Sequence, residues 1–140
     1  MEFRHLEYND YNKNYFNLLK QLTVCGNCSE DQFKNFVDNL NKNHVVLVYE
    51  ENNKILASGT LLIESKLIRN CGLVGHIEDI VVDKELNSKG IGKKLLNELV
   101  SYAKNNGCYK VILDCRNEII PFYEKCGFKK KEEHMVKYFV

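Results

Sequence analysis

The chain has no tryptophan, a single proline, and a formal net charge of only +1, from 20 Lys+Arg against 19 Asp+Glu. Near-neutrality offers no general electrostatic attraction to DNA, RNA or an anionic membrane surface, so any such partner would need a local patch. No apolar run approaches the roughly 18 residues that a membrane-spanning helix requires. The opening stretch, MEFRHLEYNDYNKNYF, is polar from the start and reads as no secretory leader. Internal repeats and low-complexity tracts are missing as well. These absences set the expectation of a cytoplasmic protein with no membrane partner and no nucleic-acid partner.

What is there suffices for one hydrophobic core. A chain of 140 residues, 44% of them hydrophobic, reads as a single domain over residues 1–140. Six cysteines (Cys25, Cys28, Cys71, Cys108, Cys115 and Cys126) would suggest disulfides in a secreted chain. Nothing routes this one outward, so they are read as reduced thiols. Cys25-x-x-Cys28 has the spacing of a zinc or redox pair. A zinc ribbon wants a second close pair, and a thioredoxin-like site wants the pair opening a helix after a strand. Neither context is present, and no metal site is expected.

Along the chain, Glu2 to Tyr8 is compatible with an opening strand. Tyr15, Leu18, Leu19 and Leu22 lie on one helical face of the segment Tyr11 to Thr23. Ser29, with Gln32 three residues on, reads as a capping box that starts a second helix running to about Asn43. His44 to Tyr49 and Ile55 to Glu64 read as strands joined by a turn, and Leu73 to Val82 as a third. The period then changes. Ile91, Leu95, Leu96, Leu99, Val100 and Ala103 mark a long helix that Asn106-Gly107 stops. Tyr109 to Asp114 is a short strand, Ile119 to Lys125 a short helix, and His134 to Val140 a closing strand. The order β-α-α-β-β-β-α-β-α-β predicts an α+β domain with a mixed central sheet flanked by helices.

The junction of the third strand with the long helix carries a chemical signal. Lys84-Glu-Leu-Asn-Ser-Lys-Gly-Ile-Gly-Lys-Lys94 links a strand to a helix through two glycines. Helix N-terminal N–H groups are unpaired and carry the positive end of the dipole, so they attract phosphate. Glycine lets a ligand approach the main chain closely. An ordinary strand–helix turn with solvated lysines explains these residues equally well. Two nucleotide motifs are excluded: a Walker loop lacks its first glycine and its hydroxyl residue, and a dinucleotide fingerprint meets Leu95 where it needs glycine.

Asn87-x-x-Gly90-Ile-Gly92 resembles the pyrophosphate loop of the GNAT superfamily of acetyl-CoA-dependent N-acetyltransferases. Gly75-His-Ile-Glu-Asp-Ile-Val-Val82, Gly107-Cys-Tyr-Lys-Val-Ile-Leu-Asp-Cys115 and Phe122-Tyr-Glu-Lys-Cys-Gly-Phe128 resemble, in this order and spacing, the glucosamine 6-phosphate N-acetyltransferase family. Leu18 to Thr23, Ser29 to Phe33 and Thr60 to Ile68 are similar to the same family, so the likeness covers nearly the whole chain. The resemblance implies the GNAT fold and acetylation of the 2-amino group of glucosamine 6-phosphate, a step toward UDP-N-acetylglucosamine. It also implies a homodimer whose sugar sites draw on both subunits.

Carried over residue by residue, the resemblance assigns Ile80, Val81 and Val82 to the pantetheine arm of acetyl-CoA. Ser88, Lys89, Gly90, Ile91, Gly92 and Lys93 fall to its pyrophosphate. Thr23, Lys66, Glu78, Asp79, Asp114 and Cys115 fall where the family binds the sugar phosphate. Tyr123 falls beside the thioester sulfur, with Glu78, Asp79, Asp114 and Tyr123 as the catalytic set. The chemistry agrees: thioester aminolysis needs a neutral amine, a polarised carbonyl and a proton for the leaving thiolate.

Each residue also has a plainer role available. Tyr123 suits a core aromatic, Lys66 a solvated hairpin, and His76 a polar strand position. Glu78-Asp79 is harder to place, because adjacent strand residues face opposite ways and one carboxylate must turn inward. Three positions depart from the family pattern: Asn87 replaces Gln or Arg, Ile119 replaces Asn, and Tyr138 replaces an Arg that reaches the sugar phosphate. The alternatives are therefore a GNAT enzyme with another amine acceptor and a non-catalytic acyl-CoA sensor.

Overall fold

The computed structural model describes residues 2–140, and of residues 87–89 the backbone alone. Five strands form one sheet: β1 (Arg4–His5), β2 (His44–Glu51), β3 (Lys54–Ser65), β4 (Leu73–Val82) and β5 (Cys108–Ile112). Their order in space, β1-β2-β3-β4-β5, is their order in the chain. The first three pairings are antiparallel and the last, β4 with β5, is parallel. That last step needs a crossover, supplied by α4 (Ile91–Asn105). The other helices are α1 (Tyr15–Leu19), α2 (Glu30–Asp38), the single turn α3 (Ile68–Cys71) and α5 (Ile120–Lys125).

Local chemistry sets these boundaries. Ser29 Oγ accepts the Gln32 N–H at 3.1 Å while Gln32 Oε1 accepts the Ser29 N–H at 2.8 Å, so the expected capping box opens α2. Asn52 and Asn53, at φ 52° and 62°, take the left-handed conformations of a tight β2–β3 hairpin. The helix expected over Tyr11 to Thr23 is instead a 3-10 turn, Tyr8–Asn12, followed by α1, because Asn14 at φ 63° interrupts it. The same turn cuts β1 to two residues. There the Arg4 guanidinium donates to both Asp10 carboxylate oxygens, at 2.9 and 2.8 Å, and the Glu7 N–H donates at 2.9 Å. Asp10 is wholly buried, and this pairing is what makes its burial tolerable.

Both faces of the sheet are covered at β2 and β3, and the alternation of β2 serves both. Val45 and Leu47 join Ala57, Leu61 and Ile77 under the buried stripe Ile91, Leu95, Leu96, Leu99 and Ala103 of α4. Val46 and Val48 join Leu6, Tyr15, Leu18, Phe33 and Ile55 under α1 and α2. Each fully buried aliphatic side chain contributes about 1.5–3 kcal/mol of transfer free energy.

Two departures from regular structure matter for function. Thr60 pairs with Glu78 and Ser58 with Val81, so β4 carries one residue more than β3 across this interval. The bulge falls at Asp79, at φ 52°, and Ile80, opposite Gly59. A Cβ on Gly59 would lie 2.6 Å from Ile80 Cδ1 and 3.0 Å from Leu99 Cδ1. Ile80 therefore occupies the space that a side chain at residue 59 would need. In the β3–β4 connection, Arg69, Asn70 and Cys71 form a left-handed turn at φ 56°, 59° and 57°.

The closing strand expected at His134 to Val140 does not form. No residue of 129–140 pairs with a strand among the described residues, and Met135 and Phe139 are each 90% exposed. A segment that does not run beside the β5 edge leaves its main-chain groups to water.

Gly59→Ala should destabilise the domain by about 1–3 kcal/mol, the range for overpacking a tight core site. Urea unfolding measures it; an unchanged midpoint would show that Ile80 moves aside freely.

Candidate active site

The pairing of β4 with β5 runs only from Leu73–Cys108 to His76–Ile112, yet β4 continues to Val82. From Ile77 onward its β5-facing edge has no strand partner among the described residues. Its main-chain groups thus line an opening between the two strands. A cleft of about 700 Å³ lies alongside, with Glu78, Asp114, Cys115, Asn117 and Tyr123 in its walls and residues 129–134 along one side.

Glu78 is half-buried. Burial chiefly, then the charges of Asp114 and Asp79, hold its carboxyl above the ordinary carboxylate range, while His76 and His134 pull the other way. Asp79, the bulge residue, is turned outward and exposed, so the bulge decides which of the adjacent carboxylates faces inward. Asp114 meets His134, with Oδ2 3.1 Å from Nδ1. Tyr123 on α5 is gripped edge-on by Phe122 and Phe128, with ring centroids 5.1 and 5.9 Å away. Burial first, then the nearby Cys115 and Cys126, raise its phenol, so it stays protonated at neutral pH. Among the described residues its hydroxyl meets no hydrogen-bond partner, although it lines the cleft.

The first turn of α4 stands at the far end of the β4 edge. Gly90 is left-handed at φ 73°, and a Cβ there would meet nothing within 4 Å. A Cβ on Gly92 would lie 3.6 Å from Val82 and 3.7 Å from Phe122, ordinary contact distances. Packing therefore does not demand glycine at residue 92. The first N–H groups of this 15-residue helix are free of intrahelical partners, and Lys93 is exposed beside them. The side chains of Ser88 and Lys89, expected at this turn, lie outside the described residues. Ile91 is buried in the core and contributes backbone only.

Of the residues expected on β4, Ile80 and Val82 pack toward α4, whereas Val81 is buried on the opposite face, against the α1–α2 layer. The structure brings Glu78, Asp114, Cys115 and Tyr123 into one cleft. It does not bring Thr23, Lys66 or Asp79 into the walls of that cleft. Thr23 is exposed on the turn after α1. Lys66 approaches Glu64 at 3.3 Å, and Glu64 Oε1 also meets His76 Nε2 at 2.9 Å. His76 above all, then Lys66, holds the Glu64 carboxyl below its usual range. Asn117, the residue near Ile119 that could stand in for the family's asparagine, lies in the cleft wall, as does His134, which went unnoticed as a site residue in the sequence. No periodicity or motif connects His134 with Asp114, twenty positions earlier.

The site thus joins an unpaired strand edge, a helix N-terminus, a protonated phenol and a half-buried carboxyl. The profile of the acetyltransferase (GNAT) family matches residues 7–128. The chain belongs to the GNAT family of acetyltransferases. Within it, the chain is 45% identical to the glucosamine 6-phosphate N-acetyltransferase of Arabidopsis thaliana, an alignment covering 99% of this chain and 96% of that one. It is 41% identical to the Candida albicans protein of the same description, over 96% and 93% of the two chains. The crystal structure of the Arabidopsis thaliana enzyme superposes with a TM-score of 0.96 at 44% identity, over 99% of this chain and 98% of that one.

Proposed function

We propose that this chain transfers the acetyl group of acetyl-CoA to the 2-amino group of glucosamine 6-phosphate, releasing N-acetylglucosamine 6-phosphate and CoA in the route to UDP-N-acetylglucosamine. The observation that carries the proposal is the convergence of Glu78, Asp114 and Tyr123 on one cleft beside the open β4 edge, in a chain so similar to glucosamine 6-phosphate N-acetyltransferases along its whole length. Acetyl-CoA is the donor of the GNAT family, and the residues here fit it. The unpaired edge from Ile80 to Val82 can hydrogen-bond an extended pantetheine arm like an added strand. The main chain at residues 90–93 can hold its pyrophosphate.

In the reaction the amine nitrogen attacks the thioester carbon, and the carbon–sulfur bond breaks. Glu78, as carboxylate, takes a proton that the amine sheds, and the main-chain carbonyl of Asp114 orients the amine. An N–H near Ile80 polarises the thioester oxygen as negative charge develops there. Tyr123 gives its proton to the departing thiolate, and its raised pKa keeps that proton available. Much of the acceleration comes from holding two reactants in register.

A homodimer is part of the proposal. Met135, Tyr138 and Phe139 project from the domain at 79–90% exposure, and Leu62 and Ile112 lie exposed on β3 and β5. A second copy would cover such surface and give the unpaired tail a strand neighbour. Six unpaired thiols suit the reducing cytoplasm. Light scattering should report twice the 16.3 kDa chain mass; a monomer at working concentration would refute sites shared between subunits.

Acetyl transfer, followed by product mass, should be fast with glucosamine 6-phosphate and slow with glucosamine, glucosamine 1-phosphate, spermidine and a lysine peptide. Activity spread over several amines would move the acceptor, and acetyl-CoA binding without turnover would make the chain a sensor. Tyr123→Phe should lower kcat about 10²-fold or more, the usual contribution of a positioned acid, with acetyl-CoA affinity nearly unchanged. The acid limb of kcat/KM should lie above the ordinary carboxylate pKa, with activity lost as pH falls through it. Glu78→Gln should abolish that limb. Gly92→Ala should keep or raise stability by up to about 1 kcal/mol, as alanine suits a helix better, yet raise the KM for acetyl-CoA. Unchanged KM would mean that the coenzyme does not approach this turn.

A further inference from the structure

Gln21, in the turn after α1, makes two hydrogen bonds far along the chain. Its Nε2 donates to Asp83 Oδ2 at 3.2 Å, and its Oε1 accepts the N–H of Lys84 at 3.0 Å. The other Asp83 oxygen, Oδ1, accepts the N–H of Glu85 at 3.0 Å, and the Asp83 N–H donates to the Leu56 carbonyl at 2.8 Å. Gln21 and Asp83 therefore satisfy the first two N–H groups of the 3-10 turn Lys84–Lys89 and fasten its start to the end of β4. A primary amide suits this place because it must donate to a carboxylate and accept from an N–H at once. Glutamate can only accept, and lysine or arginine can only donate.

Gln21 is exposed and belongs to neither core cluster, so hydrophobic packing does not account for its position. What it holds is the segment that runs directly into Gly90 and the first turn of α4. Two residues beyond it stands Thr23, on the same turn.

We propose that Gln21 is a positioning residue that sets the coenzyme-binding turn against the sheet and joins it to the segment carrying Thr23. The inference rests on reading residues 90–93 as the pyrophosphate site. Gln21→Ala should raise the KM for acetyl-CoA about five- to tenfold, in keeping with the loss of two hydrogen bonds, one of them to a charged group. kcat should stay within about twofold, because the chemical groups are not displaced once the coenzyme is bound. Gln21→Glu should lose at least as much, since it cannot donate and faces Asp83 with a like charge. The double variant Gln21→Ala with Asp83→Ala should bind acetyl-CoA no more weakly than Asp83→Ala alone, as expected when the two act as one unit.

A purely structural role would lower the melting temperature of the free protein. The positioning role, besides any such loss, shrinks the rise that CoA causes, which a purely structural role leaves intact. Wild-type protein that binds no acetyl-CoA overturns the reading of the turn and this proposal with it. Wild-type binding with an unchanged KM in Gln21→Ala overturns this proposal alone, as would strictly additive effects in the double variant.

Discussion

The parting of β4 from β5 after the His76–Ile112 pair is the constraint on which the rest of the site depends. A parallel pair that continued to Val82 would satisfy every main-chain group along β4 and leave nothing for a ligand to bind. Because it stops, half of a central strand becomes an edge inside the molecule rather than at its rim. The bulge at Asp79 and Ile80 sits on the freed half, and Gly59 supplies the room for it on β3. The helix that makes the crossover starts at the end of that same half. One interruption in the ladder thus brings a hydrogen-bonding edge and an anion-attracting helix end together.

The side chains around this opening divide their work by burial. Tyr123 is held by two phenylalanines, and burial raises its phenol so that it stays protonated. Glu78 is raised less by its neighbours than by its own burial. In the proposed reaction neither acts as a nucleophile. The backbone shapes the opening as much as the side chains do: Ile80 sits in the bulge and Gly92 packs the first turn of α4 near Val82 and Phe122.

Much of this was legible in the sequence wherever a local rule operated without a rival. The limits of β4, Leu73 and Val82, follow from β-compatible residues and flanking turns. The stripe of α4 and the Ser29–Gln32 box follow from period and capping chemistry. The shared placement of Glu78, Asp114 and Tyr123 rested on resemblance to a family, and no spacing rule would have supplied it. What stayed hidden depends on contacts distant in sequence or on conformations that residue types seldom announce. An aspartate at positive φ in mid-strand gives no compositional sign, so the bulge, and with it the outward turn of Asp79, was invisible. The division of the first helix follows from Asn14 at positive φ, and the short β1 from the turn that the Arg4–Asp10 pairing holds, neither of which periodicity registers. The tail, His134 to Val140, was expected as a strand, but composition cannot provide a neighbour to pair with.

The agreement between strand order in space and in sequence has a kinetic consequence. β2, β3 and β4 are joined by short turns, so their antiparallel ladder can zip locally once the Asn52-Asn53 hairpin has formed. β5 joins β4 only after the whole α4 crossover has been closed, and that loop entropy must be met before any parallel hydrogen bond rewards it. The meander is the part of the sheet that closes at least entropic cost, and the seam that opens into the cleft costs more to close than either of its two connections. The candidate site thus lies along a seam that no local turn can close.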